Sequence, residues 1–286
     1  MSDNRPRPPD RKFALVAPFA IGLAAVVVLV VLLLKPTPGA KAPPAPEPPP
    51  VAETAPPLVA AAPVASAPLG RAELIAGARA AAAAYAAGEL AESKGLAGRT
   101  FLVRLAFGCG GPLVDPGATQ AYYQRDAAAG TVRLVARPAV LTDLPLIRAA
   151  PLPPKTEAVE GFWLPRPWLT AEGCPKRRPV APPATPTPVE APSLGLVVFH
   201  DEESPRAARR GDRPYEVVIK SPTSDGGAAT NFVLVIEGRL TGFADGAAVH
   251  CWSESAEHRP ICLFGAALDR VAFEDDKGAT LAQWPT

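Results

Sequence analysis

One stretch divides this chain before any other feature is weighed. Residues 13–34, FALVAPFAIGLAAVVVLVVLLL, run for 22 positions without a charge or a strongly polar side chain. As a helix rising about 1.5 Å per residue they span about 33 Å, enough for a hydrocarbon core of about 30 Å. Pro18 falls in the first turn or two, where a missing N–H costs least. The competing reading is a cleaved signal peptide ending at Ala40-Lys41-Ala42. Its apolar region would run to about 7–15 residues, so the length favours a retained anchor. Arg5, Arg7, Arg11 and Lys12 precede the run, against only Lys35 and Lys41 just after it. Positive charge stays on the cytoplasmic side. The chain is therefore expected to be bitopic in a bacterial inner membrane, with its N-terminus cytoplasmic and its C-terminal part periplasmic. The first expected partner is the lipid bilayer, through residues 13–34. No acidic residue, His, Ser or Thr interrupts the run, which argues against ion or proton coupling through it.

The rest of the chain divides by composition. Residues 1–12 form the cytoplasmic tail, and 35–68 a Pro-rich linker with 12 Pro between 36 and 68. Proline lacks the amide donor that helices and sheet ladders need. The linker should sample extended polyproline-like backbone and reach at most about 100 Å. Residues 69–98 are rich in Ala, Leu, Glu and Arg, predicting a helix over 71–87. Its stripe of Leu74, Ile75, Ala78, Ala82 and Tyr85 is expected to dock on the body.

The body, 99–286, gathers the aromatic and β-branched residues. Candidate strands fall at 100–107, 120–126, 131–137, 159–164, 194–200, 215–220, 232–240, 247–252, 261–265, 270–274 and 281–284. Gly130 is the expected turn of a hairpin. The pattern predicts a mainly β fold, an antiparallel sandwich or open barrel, broken by a Pro-rich insert at 175–193. The body carries 20 basic and 21 acidic residues, so no broad polyanion surface and no nucleic-acid partner is expected.

Four cysteines, Cys109, Cys174, Cys251 and Cys262, all lie beyond the anchor. An even number on an oxidising side predicts disulfides. Cys251 ends one strand candidate and Cys262 opens the next, and facing residues of antiparallel neighbours lie within disulfide range. The expected pairs are Cys251–Cys262 and Cys109–Cys174. The sharper alternative is a zinc site of His250, Cys251, His258 and Cys262. Adjacent positions on a strand point to opposite faces, and there is no C-x-x-C, so disulfides are favoured.

Other chemistry-bearing runs have bland counterparts. Gly108-Cys109-Gly110-Gly111 has the look of a nucleophile loop, but no base can be assigned, and a half-cystine in a tight turn suffices. His200-Asp201-Glu202-Glu203 is oxygen-rich, yet it reads as a loop after a strand. Phe162, Trp163, Arg166 and Trp168 place three aromatics and an Arg within seven positions, a composition enriched at binding hot spots. The competing view makes Trp163 and Trp168 core residues at one end of the fold. The sequence thus predicts no catalytic residue and no cofactor. It points to an envelope interaction or scaffolding module with a protein partner. The alternatives are a periplasmic hydrolase or metal-dependent enzyme using His200 or His250, and a small-ligand binding domain with an apolar cavity.

Overall fold

The computed structural model describes residues 66–89, 93–176, 191–205, 208–211, 213–220 and 231–286. The tail 1–12, the anchor 13–34, the linker as far as 65 and insert positions 177–190 lie outside the described residues. Among the described residues, no helix is long and apolar enough to cross a membrane.

Helix α1, Arg71–Ala86, opens where the Glu73 carboxylate accepts the Gly70 N–H at 2.9 Å. That contact satisfies one of the amides a helix start leaves without an intrahelical partner. Leu74, Ile75, Ala78 and Ala81 are buried along one face. Gly77 lies on the same side, where an added Cβ would meet the Phe264 ring at 3.3 Å.

Eleven strands follow among the described residues. They are β1 Thr100–Phe107, β2 Ala121–Asp126, β3 Thr131–Ala136, β4 Ala139–Val140, β5 Thr156–Trp163 and β6 Leu194–Asp201. After these come β7 Tyr215–Lys220, β8 Phe232–Leu240, β9 Val249–Trp252, β10 Ile261–Glu274 and β11 Thr280–Pro285. A short helix, α2 Pro145–Ala149, lies between β4 and β5. The fold is mainly β, with an eight-stranded sheet and a three-stranded one ordered β2-β3-β7.

The large sheet is mixed rather than purely antiparallel, and this corrects the sequence expectation. Its main path runs β1-β8-β10-β6-β5-β4, and β10 pairs with β6 in parallel. Alternating polarity marks a strand but does not record the direction of its neighbour, so the parallel pair left no signal. Strand β10 also fuses the two candidates 261–265 and 270–274 into one. Its first half lies between β6 and β9, and its second half between β8 and β11. A register shift between Leu268 and Arg270 marks where it bends. Gly238 on β8 permits the close approach at this crossing, since a Cβ there would lie 2.1 Å from the Ala267 carbonyl oxygen.

Two apolar clusters result. The larger joins Leu74 and Ile75 of α1 to Phe101, Phe232 and Phe264, and to Tyr123 and Leu134 of the small sheet. The second gathers Leu146, Ile147, Val159, Val197, Phe243 and Leu263. Successive residues Leu263 and Phe264 serve different clusters because strand side chains alternate. Each fully buried side chain of this size contributes about 1.5–3 kcal/mol.

Candidate functional site

The end of β1 and the loop after β5 enclose an open groove of about 540 Å³. Leu105, Ala106 and Phe107 supply one wall and the 108–111 turn its rim. Leu113, Ala121 and Tyr122 bring in the start of β2, and Trp163 to Trp168 form the opposite wall. Ala191 and Pro192 close one side. Most of these side chains are apolar, and the size falls within the range of about 300–1,000 Å³ usual for small-molecule sites.

Three anchors fix the groove. The first is Gln120, whose amide donates to the Trp163 carbonyl at 3.1 Å and accepts the Trp163 N–H at 2.7 Å. This pair takes up the backbone groups of Trp163 where β5 leaves its ladder. The second is Arg71, buried in the first turn of α1. Its guanidinium donates to the carbonyls of Leu169, at 2.8 Å, Arg166, at 2.9 Å, and Pro165. One charged side chain therefore holds the loop that carries Arg166 and Trp168. The third is the disulfide Cys109–Cys174, with Cα atoms 5.5 Å apart, tying the groove's rim to the far end of that loop.

The structure does not present the aromatic–arginine run on one face. Phe162 is buried in the main core, with its ring 6.2 Å from that of Tyr215, and is not available to a partner. Strand alternation sends Trp163 the other way, where it is half-buried and lines the groove. Trp168 is 54% exposed on the groove wall, so it does not close the core. Arg166 lies in the left-handed region, φ 54°, which is uncommon for a residue with a Cβ. Its Nη2 donates to the Ala106 carbonyl at 2.7 Å, while its Nε is buried with no acceptor among the described residues. Burial holds the Arg166 guanidinium below its usual pKa. Arg71 is lowered too, first by burial and then by the nearby Arg166 charge, with Glu172 acting against both.

Cys251 and Cys262 face each other across β9 and β10 and form the second disulfide, Cα–Cα 4.1 Å. Their sulfurs are joined to each other, which removes two ligands from the alternative set of His250, Cys251, His258 and Cys262. His250 Nε2 lies 3.0 Å from Asp245 Oδ2, and His258 Nδ1 lies 2.7 Å from Ser255 Oγ. Among the described residues, no group of three or more His, Cys, Asp or Glu is placed to hold a metal ion. His200 is buried 3.9 Å from Glu160, whose carboxylate accepts the backbone N–H groups of Arg210 and Gly211. Burial lowers the His200 pKa, and Arg209 adds to this, while Glu160 and Asp201 oppose it. Each histidine thus has its own local surroundings.

Sequence reasoning missed Leu113, Gln120, Tyr122 and the anchor Arg71. The arginine sits in an Ala-rich helix where basic residues are ordinary, and Gln120 carries no periodic signal. Two disulfides with no free cysteine point to a secreted or periplasmic domain. No family model matches the chain, and no curated protein or solved structure shows a significant similarity to it.

Proposed function

We propose that the β-rich body is a binding module, displayed in the periplasm by the anchor 13–34 and the Pro-rich linker, that seats a small apolar ligand in the groove. The observation that carries this reading is the groove's lining. Leu105, Leu113, Tyr122, Trp163 and Trp168 converge with few polar groups among them. Apolar surface of this kind gains by being covered, at roughly 25 cal/mol per Å². The fixed walls add to the case, because a groove held by Gln120, Arg71 and a disulfide loses little order on binding. The two sheets are read as facing layers of a sandwich. Tyr123 against Phe232 and Tyr215 against Trp284, with ring centroids 5.1 and 5.3 Å apart, support that reading.

A second reading keeps the interaction or scaffolding role, with a protein partner on the same surface. The exposure of Trp168 favours it, since Trp on a groove wall is a frequent anchor for partners. Hydrogen exchange on the full chain in lipid nanodiscs tests the first reading. Saturating dodecanol is expected to slow exchange in 105–122 and 163–169. Unchanged exchange there, with protection only on adding an envelope extract, would favour the protein partner.

A further inference from the structure

The groove is apolar, but the charges beside it do not balance. Three arginines meet at the loop after β5: Arg166 within it, Arg71 bonded to its carbonyls, and Arg104 beside its Glu172. Two carboxylates lie with them, and both are within ion-pair reach of Arg104. Arg104 Nη2 is 2.6 Å from Glu274, and Arg104 Nε is 3.5 Å from Glu172. Arg71 spends its donors on three backbone carbonyls. Arg166 has one hydrogen bond among the described residues, to the Ala106 carbonyl, although a guanidinium carries five N–H donors. Among the described residues these three positive groups against two negative ones leave one unit of positive charge, and Arg166 is the member that lines the groove. Lys176 is exposed two positions beyond the half-cystine bonded to Cys109 of the rim, and adds positive potential on that side.

Among the described residues no carboxylate pairs with Arg166; a partly buried cation in that position is costly, and an anion arriving beside it relieves that cost. The backbone agrees, since Arg166 occupies a left-handed conformation that is strained for a residue with a Cβ. The Arg71 bond to its carbonyl, and the turn from Leu169 N–H to the same carbonyl at 2.9 Å, hold it there.

Resting on the groove reading above, we infer that the ligand is a monoanionic amphiphile, with an apolar tail lying along Leu113, Tyr122 and Trp163 and a carboxylate-type head group at Arg166. A neutral tail would fill the groove but leave the charge unanswered. A cationic head group would add to it. A charge-assisted hydrogen bond contributes roughly 1.5–3 kcal/mol, so the preference for an anion over its neutral counterpart should be at least about tenfold.

Photo-labelling of the full chain in nanodiscs tests this, with three diazirine probes of equal tail length: dodecanoate, dodecanol and dodecylammonium. Peptide mapping separates groove labelling at 105–122 and 163–169 from bilayer labelling at 13–34. Dodecanoate is expected to label the groove saturably and about tenfold more strongly than dodecanol, with dodecylammonium weakest. Arg166→Gln should bring dodecanoate down to the level of dodecanol, while Arg166→Lys keeps most of the difference. Because the charge series is read on the unaltered chain, a folding defect in either variant leaves the test intact. Equal groove labelling by all three probes would overturn the anion inference and leave the apolar groove standing. Labelling confined to 13–34 for every probe would overturn both.

Discussion

Arg71 shows how one side chain in a helix can govern a loop distant in sequence. It is 2% exposed, and its three acceptors are carbonyls of Pro165, Arg166 and Leu169. Arg71→Met would keep much of the apolar stem but leave three carbonyls without their donor. A loss of about 3 kcal/mol is expected, read as a lower urea midpoint with the slope unchanged. A midpoint within error of the parent would show that the loop holds itself. His200 sets a pH dependence. Its folded pKa lies below the unfolded value, chiefly through burial, so the unfolded chain takes up the proton first as pH falls. Stability at this residue is therefore intact above about pH 7. It declines as pH drops through the ordinary histidine range toward the folded pKa. Urea midpoints from pH 7.5 to 5 should fall for the parent, and His200→Gln should flatten that part of the curve. A parallel fall in the variant would assign the effect to other groups.

At the scale of elements, most strands were legible because alternating apolar residues and Gly or Asp boundaries are local signals. Helix α1 was legible to within a residue at its end, from Ala content and a following Gly88. Strand β4 and helix α2 were not, being two and five residues long. The unity of β10 was hidden because Gly265 and Asp269 interrupt its pattern, while its four neighbours, which keep it continuous, are distant in sequence. The disulfide between β9 and β10 follows from strand adjacency and was legible on that ground. The groove was legible only in part. Trp163, Arg166 and Trp168 stood out by composition, but Phe162 belonged to the core, and Tyr122 and Gln120 come from a different hairpin. The two disulfides should differ in weight. Cys109–Cys174 closes 65 residues and Cys251–Cys262 closes 11. Chain entropy gives about 4 and about 3 kcal/mol respectively. Cys109→Ser with Cys174→Ser should therefore lower the denaturation midpoint more than Cys251→Ser with Cys262→Ser. The reverse order would mean that native contacts, rather than loop closure, dominate.

Taken whole, the molecule joins a long apolar run and a Pro-rich linker in its sequence to a β-rich body with two apolar clusters and one large groove among the described residues. The disulfides place that body in an oxidising environment, and the proposed topology puts the groove in the periplasm. The central claim is that the groove holds an apolar ligand. Photo-labelling of the parent chain and of Leu113→Arg, side by side in nanodiscs, addresses it most directly. Leu113 is partly exposed on the groove wall, so the added charge alters the groove while sparing the core. With the dodecanol probe, groove peptides of the parent should label saturably. The variant should lose at least about fivefold of that yield, with labelling of 13–34 unchanged, since a buried charge opposes an apolar tail by a kcal/mol or more. Groove labelling that does not saturate, or that is equal in the two chains, would contradict the account.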